Sequence, residues 1–339
     1  MALNMRDVAR RAGVSHGTVS NVLNDLPTVR PEIRQRVLDA ISETGYVRNE
    51  NARQLKVGRS RILGLIVLDT GNPFYNDLAR GAEDESRPAG LAVMMCNSDN
   101  DPARETAYLS ILEEQRAQGI IFASGEMTRD LSRRLAEMRA RGTSIVVIGG
   151  EEKIAADSCT VTGDDVEGAR LAAEHLLALG HSEIAFINGP RSLEVCRLRH
   201  AGFTEAINGF TPNPVDLTYF ERPALTIAEG RAAAAELLNS TRPPSAVFCA
   251  NDLLALGVLQ YAVENDIPVP EQLAIVGYDD ISFAAGAAIP LTSVRQSGDQ
   301  LGHAAAELLL EEINDAAQHK HKQVVFSPAL IARRSTTGR

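Results

Sequence analysis

The sequence predicts an α/β protein with two doubly wound parallel-sheet subdomains, preceded by a small all-α head. From residue 62 onward, short apolar runs rich in Val, Ile and Leu alternate with helix-length segments, which is typical of parallel sheets covered on both faces. These strand–helix units number about twice what one doubly wound domain needs. The first 47 residues instead contain short helical patterns.

The head begins with two short helices joined by a tight glycine turn. The first helix runs from Arg6 to Ala12 and stops at Gly13, and the hydroxyl of Ser15 can cap a second helix over 16–23. This is the helix-turn-helix pattern, in which the second helix enters the major groove of DNA. A generic three-helix bundle is the alternative, which Gly13, Ser15 and the clustered arginines disfavour. One small shared core is predicted from apolar residues at Val8, Ala9, Ala12, Val19, Val22 and Leu23.

A third helix is predicted to begin at Pro31, a favoured first helical position, and to end at Gly45. The stretch after it is rich in Asn, Arg and Gly, so we divide the chain into a head (residues 1–47), a linker (48–60) and a core (61–339). The apolar face of the third helix is predicted to contain Ile33, Val37, Leu38 and Ile41.

The net charge of −10 is divided unequally along the chain. Residues 1–60 contain ten Arg or Lys and six Asp or Glu, an excess of four positive charges, so the remainder carries a net charge of −14. A basic head joined to an acidic body is expected of a protein that contacts phosphates with its N-terminal part alone.

The core is predicted to enclose a ligand cleft, because ligands bind at the carboxyl ends of parallel strands and two such subdomains face each other. The runs predicted to form strands are Ile62–Leu68, Leu91–Met95, Ile120–Ala123, Ile145–Ile148, Ile184–Ile187, Ala246–Cys249 and Leu273–Val276. The helical patterns between them include Ala103–Gln118, Asp164–Leu179, Leu253–Glu264 and Leu301–Ile313.

Metal, membrane and exported classes are disfavoured by the sequence. Its four cysteines are widely spaced, without a Cys/His spacing typical of metal ligands, so we expect buried thiols in a reducing cytoplasm and neither metal nor cofactor. The first 25 residues are too charged for a signal peptide, and no apolar stretch approaches the ~18 residues that span a bilayer. We therefore expect a cytoplasmic protein.

Two other classes of protein share such a core. One is a stand-alone solute-binding protein, which the basic head and the missing export signal disfavour. An enzyme would need a Gly-rich phosphate loop or a coherent acid–base pair, and neither pattern is found. His175, His181 and His303 are scattered along the chain, so structural roles fit them better.

The motifs, taken in order, resemble the lactose-repressor (LacI/GalR-type) family of bacterial transcriptional regulators over nearly the whole chain. The head carries Asp7-Val8-Ala9-x-x-Ala12-Gly13-Val14-Ser15-x-x-Thr18-Val19-Ser20-x-Val22-Leu23-Asn24. The linker carries Asn49-x-x-Ala52-Arg53-x-Leu55. The core carries Asn72-Pro73-Phe74-Tyr75, Gly163-Asp164-Asp165-x-x-Gly168, Leu179-Gly180-His181, Ala250-Asn251-Asp252, Val276-Gly277-Tyr278-Asp279-Asp280, Pro290-Leu291-Thr292 and Arg333-Arg334-Ser335-Thr336.

The resemblance implies a periplasmic-binding-protein-like core and a homodimer that binds a pseudo-palindromic operator in double-stranded DNA, associated with the nucleoid when bound. By position, His16, Gly17 and Asn21 resemble base-reading residues. Asn21 can bind adenine through two hydrogen bonds and His16 can donate to guanine, whereas Gly17 has no side chain with which to read a base. The residues that resemble phosphate contacts are Ser15, Thr18, Ser20, Asn24 and Arg30.

Residues Asn49, Ala52, Arg53, Leu55 and Lys56 resemble the hinge helix of the family, which enters the minor groove. The resemblance makes Leu55 an apolar wedge at a central base step, with Lys56 beside it facing the DNA backbone. Family hinges commonly have Pro at the position of Arg48 and an apolar residue at that of Asn51. Because both are absent, we expect residues 49–56 to be disordered without DNA and unprotected from amide exchange.

The resemblance also implies a set of effector-binding residues: Phe74, Tyr75, Arg199, Asn251, Asp279 and Gln296. An Arg and an Asp that face each other can bind vicinal hydroxyls, and an aromatic ring can cover the apolar face of a sugar. Leu225 falls roughly where several sugar-binding members have an aromatic residue, and Gly149 falls where many have an acid. A sugar or sugar acid is favoured as the effector, with a nucleoside or another small polar metabolite as the alternative.

The family architecture places three crossings between the subdomains, near Thr162, Pro290 and Lys322. The N-subdomain would then contain about residues 61–162 and 291–322, and the C-subdomain about 163–290 and 323–339. Ligand acts through its differential affinity for open and closed forms, and induction is the more frequent outcome in the family. The C-terminus lacks an apolar heptad, so a dimer rather than a coiled-coil tetramer is expected. Control by a protein co-regulator bound to the core remains an alternative.

Overall fold

A computed structural model describes residues 4–47, 60–123, 125–149, 158–210 and 214–338 of the chain. They divide at Ser60–Arg61 into two compact units, the head and the core. None of the described helices combines the length and apolar character needed to cross a bilayer.

Local capping determines where the head helices begin and end. The side chain of Asn4 accepts hydrogen bonds from the backbone of residues 6 and 7, and Asp7 reciprocates at the backbone of Asn4, which forms a capping box. Gly13 ends the first helix with a φ of 63°, a left-handed conformation that glycine adopts without steric cost. The head helices are α1 (Met5–Ala12), α2 (His16–Leu23) and α3 (Pro31–Thr44).

The three helices share one small core, as the sequence predicts. Ile33 and Leu38 are exceptions, because both lie outside this core, and 45% of Leu38 is exposed. The buried face of α3 contains Val37 and Ala40, which are three residues apart, and position 38 lies outside that face. The buried residues of the head core are Val8, Ala9, Ala12, Val19, Val22, Val37, Ala40 and Tyr46.

The core contains two six-stranded sheets, and the α/β fold class is therefore confirmed. The first sheet contains β1 (Ile62–Val67), β2 (Ala92–Asn97), β3 (Gly119–Ala123), β4 (Ser144–Ile148) and β5 (Cys159–Gly163), with β11 (Gln323–Phe326) at one edge. The second contains β6 (Glu183–Asn188), β7 (Asp216–Glu221), β8 (Ala246–Cys249), β9 (Ala274–Asp279) and β10 (Thr292–Arg295), with β12 (Ala329–Ile331) at one edge.

Helices connect these strands in both sheets. The long ones are α4 (Pro73–Ser86), α5 (Pro102–Glu114), α6 (Arg129–Ala140), α7 (Asp165–Ala178), α8 (Glu194–Gly209), α9 (Ile227–Leu238), α10 (Asp252–Glu264) and α12 (Gly298–Asn314). Two short helices are α11 (Ser282–Gly286) and α13 (Arg334–Thr337), and a 3-10 turn spans Arg87–Ala89.

Strand order shows where a ligand site should lie. The orders are β11-β5-β4-β3-β1-β2 and β12-β10-β9-β8-β6-β7, and every pairing is parallel except that of β12 with β10. In each sheet the order reverses beside the first strand, between β1 and β3 and between β6 and β8. Ligands of doubly wound folds bind in the crevice at the carboxyl ends of such strands.

Sheet membership moves two of the three crossings relative to the sequence prediction. Thr292–Arg295 pairs with β9, so the second crossing follows Arg295 rather than Pro290. Gln323–Phe326 pairs with β5, so the third crossing follows Phe326 rather than Lys322. Both strands are short and half polar, so their apolar pattern alone does not assign them to a sheet.

Helices α4 and α12 pack against each other at backbone contact distance. A Cβ atom on Gly81 would lie 1.9 Å from the carbonyl oxygen of Asp299, and one on Gly302 would lie 1.9 Å from that of Leu78. Since these neighbours are backbone atoms that cannot rotate away, both positions require glycine. The contact holds α12, which follows the second crossing, against the first sheet.

Glu105 is a buried carboxyl group on α5, and we expect it to make stability depend on pH. Burial raises its pKa to about 7, and the carboxylates of Asp101 and Glu126 add to the rise. Between the ordinary pKa and this value, the folded chain binds a proton that the unfolded chain has released, so stability falls as pH rises. Glu105→Gln should remove this fall, which is about 3 kcal/mol between pH 4.5 and 7, in urea titrations across that range. Parallel pH profiles for the two proteins would contradict the assignment.

Candidate nucleic-acid interface and ligand cleft

One face of α2 is available for contact with a partner. His16, Gly17 and Asn24 are exposed and Ser20 and Asn21 are half-buried, whereas the two valines on the opposite face are buried. His16 and Asn21 make no side-chain hydrogen bond to another described residue of the head. Their donors and acceptors are therefore available for base edges.

Four of the five residues predicted to contact phosphates, Ser15, Thr18, Ser20 and Asn24, have hydrogen-bond partners within the head. Ser15 caps α2, since its hydroxyl accepts from the backbone N–H of Thr18 at 3.1 Å and lies 2.9 Å from the Thr18 hydroxyl. Asn24 donates to the hydroxyl of Ser20 at 3.5 Å. Arg30 is exposed at the residue before α3. These contacts fix the side chains beside the exposed face.

Glycine at position 17 is not required by the fold of the head. A Cβ atom there would meet the Ser15 hydroxyl at 3.6 Å, an ordinary van der Waals distance. The predicted hinge residues Asn49, Ala52, Arg53, Leu55 and Lys56 lie outside the described residues.

A cleft opens between the two sheets at the carboxyl ends of their strands. Its outer part is a cavity of about 260 Å³ lined by loops that follow β1, β2, β6, β7 and β8. A deeper part of about 70 Å³ adjoins it and brings together all six sequence-predicted effector residues. The two parts share Leu68, Asn72, Tyr75, Leu225 and Asn251.

Arg199 lies at the bottom of the cleft between two carboxylates. Its Nε donates to Oδ1 of Asp165 at 2.8 Å, and its Nη2 donates to Oδ1 of Asp279 at 3.5 Å. Its Nη1 donates to the carbonyl oxygen of Ala250, and the guanidinium lies 3.7 Å from the ring centre of Tyr278. Burial by itself would lower the pKa of Arg199, but the two carboxylates raise it, so the guanidinium stays charged.

Asp279 receives hydrogen bonds from both sides of the cleft. Nδ2 of Asn72, at the start of α4, donates to Oδ2 at 3.1 Å, and Nε2 of Gln296, beside the second crossing, donates to Oδ1 at 3.3 Å. Burial raises the pKa of Asp279, and Arg199 and the two amides oppose that rise. Asp279 also has a φ of 96°, so its backbone leaves β9 in an unusual conformation.

Neighbouring residues hold this backbone turn in place. Asp280 lies 2.7 Å from Nε of Arg295 and 2.6 Å from Nη1 of Arg333. Asp252 accepts from the hydroxyl of Ser293 at 2.6 Å and from the backbone N–H of Ile281 at 2.8 Å. The side chain of Asp279 is thus positioned by contacts that a ligand does not replace.

The remaining predicted effector residues have mixed roles. Phe74 is 9% exposed and belongs mostly to the apolar core, with its ring at 79° to that of Tyr75. Tyr75 lines both parts of the cleft, and burial and the Asp279 carboxylate raise its pKa, so its hydroxyl stays protonated. Asn251 caps α10 and donates to the carbonyl oxygen of Leu225 at 3.2 Å, so its amide already has partners.

Four acidic residues of the cleft were not predicted from the sequence. Asp69 and Asp99 line the outer part, and Asp165 and Glu194 line the deeper part. A Cβ atom on Gly149 would lie 3.7 Å from Oε2 of Glu194, so an acid is supplied from α8 beside the position where the family commonly has one. The position of Asp69 directly after β1 was the available signal, because carboxyl ends of strands line such clefts.

The sequence and the fold are both similar to those of known proteins. Residues 4–49 match the family described as "Bacterial regulatory proteins, lacI family", and residues 173–336 match "Periplasmic binding protein-like domain". The HTH-type transcriptional regulator DegA of Bacillus subtilis (strain 168) is 34% identical over 337 residues, which cover 99% of each chain. This chain belongs to the LacI family.

Solved structures extend the similarity to the whole fold. The LacI-family chain resembles the Lac repressor dimer bound to operator and the anti-inducer ONPF, with a TM-score of 0.83, 25% identity and coverage of 99% of both chains. It also resembles the CelR–cellobiose complex, with a TM-score of 0.70, 29% identity and coverage of 98% and 99%. As a member of the LacI family the chain is a DNA-binding transcriptional regulator, and its relatives are regulators rather than enzymes.

Proposed function

We propose that this LacI-family chain is a repressor that binds a pseudo-palindromic operator as a homodimer and releases it when a neutral sugar occupies the cleft. The observation that carries the proposal is the hydrogen bond from Asn72 to Asp279, 3.1 Å long, which joins the two sheets where a ligand would bind. A sugar hydroxyl that bonds to Asp279 competes with Asn72 for the same carboxylate.

The charge of the cleft supports a neutral ligand. Among the described lining residues Arg199 is the cationic side chain, and Asp165 and Asp279 already compensate it. Asp69, Asp99 and Glu194 add negative charge around the same space. An anionic ligand, such as a sugar acid, would be repelled there, whereas hydroxyls can donate to carboxylates and accept from amides.

The apolar walls fit a small saccharide. Leu68, Leu193 and Leu225 line the outer cavity and offer aliphatic surface for the non-polar face of a pyranose or furanose ring. The similar CelR structure contains cellobiose, which supports a carbohydrate as the ligand.

Coupling to DNA follows from the position of the Asn72–Asp279 contact. Asn72 caps α4, which follows β1 of the first sheet, and Asp279 ends β9 of the second sheet, so replacing their bond by ligand contacts changes the relative stability of closed and open cores. Chain connectivity passes from the linker directly into β1, in the same sheet as Asn72. A ligand therefore alters the lobe that continues into the linker, and we propose that this lowers operator affinity.

Exposed apolar residues on the core support a homodimer. Met94 and Met95 are 40% and 38% exposed on the edge strand β2, and Phe283 is 59% exposed on α11. Unpaired strand edges and large exposed aromatics are commonly covered by a second chain. The similar Lac repressor structure is itself a dimer on its operator.

The effector proposal is tested in two steps with the full chain. Neutral mono- and disaccharides, their acid analogues and nucleosides are compared by thermal shift, and a neutral sugar should raise the melting temperature. The sugar that does so should then weaken operator binding in a gel-shift titration. If a sugar acid or a nucleoside raises the melting temperature and neutral sugars do not, the proposed ligand class is wrong. If the ligand tightens operator binding, the proposed induction is wrong.

The base-reading role of Asn21 leads to a separate prediction. Asn21→Ala should cost about 1–3 kcal/mol of operator affinity, because a bidentate contact to adenine is lost, and should leave binding to unrelated DNA unchanged. Fluorescence anisotropy at one salt concentration measures both values. Ser42→Ala, on the exposed part of α3, serves as the control. Equal losses on operator and unrelated DNA would show that Asn21 does not read a base.

A further inference from the structure

A cluster of three metal-binding side chains lies in the first sheet, away from the ligand cleft. Sγ of Cys159 is 3.1 Å from Nε2 of His319 and 3.9 Å from Nδ1 of His321. The three ligand atoms all lie within 4.8 Å of one another. Cys159 begins β5, so the cluster is at the amino ends of the strands, whereas the cleft is at their carboxyl ends.

Strand pairing brings these distant residues together. β11 runs parallel to β5 with Gln323 opposite Thr160, and the backbone N–H of Thr160 donates to the carbonyl oxygen of Lys322 at 2.9 Å. The segment that connects α12 to β11 therefore passes directly over Cys159. Because 160 residues separate Cys159 from His319, their spacing in the sequence does not resemble a metal motif.

The surroundings of the cluster suit a bound cation. The backbone N–H of Lys322 donates to Sγ of Cys159 at 3.4 Å, which stabilises a thiolate. Nδ1 of His319 faces the carboxylate of Glu311 at 4.0 Å, while its Nε2 faces Cys159. A carboxylate behind a histidine orients the ring and makes it a stronger ligand in metal sites.

Glu312, the residue after Glu311 on α12, carries a carboxylate that is not part of the cluster. Its Oε2 atom is buried and has no hydrogen-bond partner among the described residues. Its oxygens do not belong to the group of ligand atoms that lie within 4.8 Å of one another, so the fourth position is left to water.

We propose that Cys159, His319 and His321 bind a Zn²⁺-type transition-metal ion, with water completing the coordination. In a tetrahedral site, Zn–S of about 2.3 Å and Zn–N of about 2.0–2.1 Å place sulfur and nitrogen about 3.5 Å apart. The separations of 3.1 and 3.9 Å lie on either side of that value. His321 is exposed, so the ion has a path of entry.

The metal would fasten the segment before β11 to the amino end of β5. β11 is the edge strand of the first sheet and pairs with β5, and β11 immediately precedes the third crossing to the second sheet. Because the metal ion would bind the folded chain and not the unfolded one, it would raise the stability of the fold. It would leave the contacts of the ligand cleft unchanged.

Cobalt is the probe, because a tetrahedral thiolate complex of Co²⁺ absorbs visible and near-ultraviolet light. The untagged full chain, freed of metal by a chelator, should bind one equivalent of Co²⁺ with a thiolate charge-transfer band, and Zn²⁺ should displace it. Cys159→Ser and His321→Ala should abolish the band, and Glu311→Gln should weaken Co²⁺ binding about 10-fold. His321 is exposed, so its variant tests the site even where Cys159→Ser fails to fold.

Matched controls use the same residue types elsewhere. Cys96→Ser, in half-exposed β2, and His303→Ala, on α12, should bind Co²⁺ as the unmodified chain does. The proposal is overturned if the chain gives no stoichiometric charge-transfer band. It is equally overturned if that band survives in both Cys159→Ser and His321→Ala.

Discussion

Deletion of residues 1–60 is expected to abolish selective operator binding and to leave ligand binding intact. The exposed face of α2 and the excess of four positive charges both belong to this segment, and the rest of the chain carries a net charge of −14. The core forms its own compact unit from residue 61 onward and contains every described residue of the cleft. Gel-shift assays with an operator fragment and thermal shift with the identified ligand measure the two activities.

The salt dependence of binding provides a control for this deletion. The full chain should lose operator affinity steeply as salt rises, because its head displaces counterions from phosphates. The truncated chain should show neither the affinity nor the slope, while its ligand-induced rise in melting temperature matches that of the full chain. Selective retention of operator by the truncated chain would refute the assignment of DNA binding to the head.

The head was predictable because local interactions determine it. The Gly13 turn, the Ser15 cap and Pro31 as the first residue of α3 each act within a few residues, so the sequence is sufficient to place all three helices. Leu38 was misplaced because the predicted stripe followed apolar residue type, whereas the smaller Ala40 fills the buried position.

Strands made of apolar runs were also predictable, including the edge strand β2, but the short or more polar strands β5, β7, β10, β11 and β12 were not. β1, β3 and β8 are buried on both faces and read as unbroken apolar runs. β7 and β11 lie at sheet edges with alternating exposure, and polar residues interrupt their pattern. β5, the partner of β11, is distant in the chain, so no local pattern reveals the pairing that moves the third crossing and assembles the cysteine–histidine cluster.

The effector residues came from family resemblance rather than from physical reasoning on the sequence. Arg199 and Asp279 are 80 residues apart, and the second partner of Arg199, Asp165, was not named as part of the cleft. Gly168 constrains Arg199 through a third residue. A Cβ atom at position 168 would lie 2.2 Å from the hydroxyl of Tyr278, and the ring of Tyr278 packs against the guanidinium of Arg199. Only the folded arrangement connects these residues.

Arg199→Met is expected to destabilise the core by about 3–5 kcal/mol at neutral pH and to eliminate ligand binding. Asp165 and Asp279 are each about 5% exposed, and without the guanidinium both carboxylates remain buried and uncompensated. The pKa of Asp279 is already raised by burial and lowered by Arg199, so removing Arg199 raises it further. A carboxyl whose pKa is raised in the folded state destabilises the fold as pH rises, so the deficit should shrink in urea titrations at acid pH.

Two further variants separate this effect from a general loss of an arginine. Arg231→Met breaks an exposed pair with Glu264 and should leave the denaturation midpoint nearly unchanged. In the Asp165→Asn background, Arg199→Met should cost less stability, because one of the two stranded charges is already neutral. Equal costs of Arg199→Met in both backgrounds, independent of pH, would show that lost packing against Tyr278 rather than uncompensated charge is responsible.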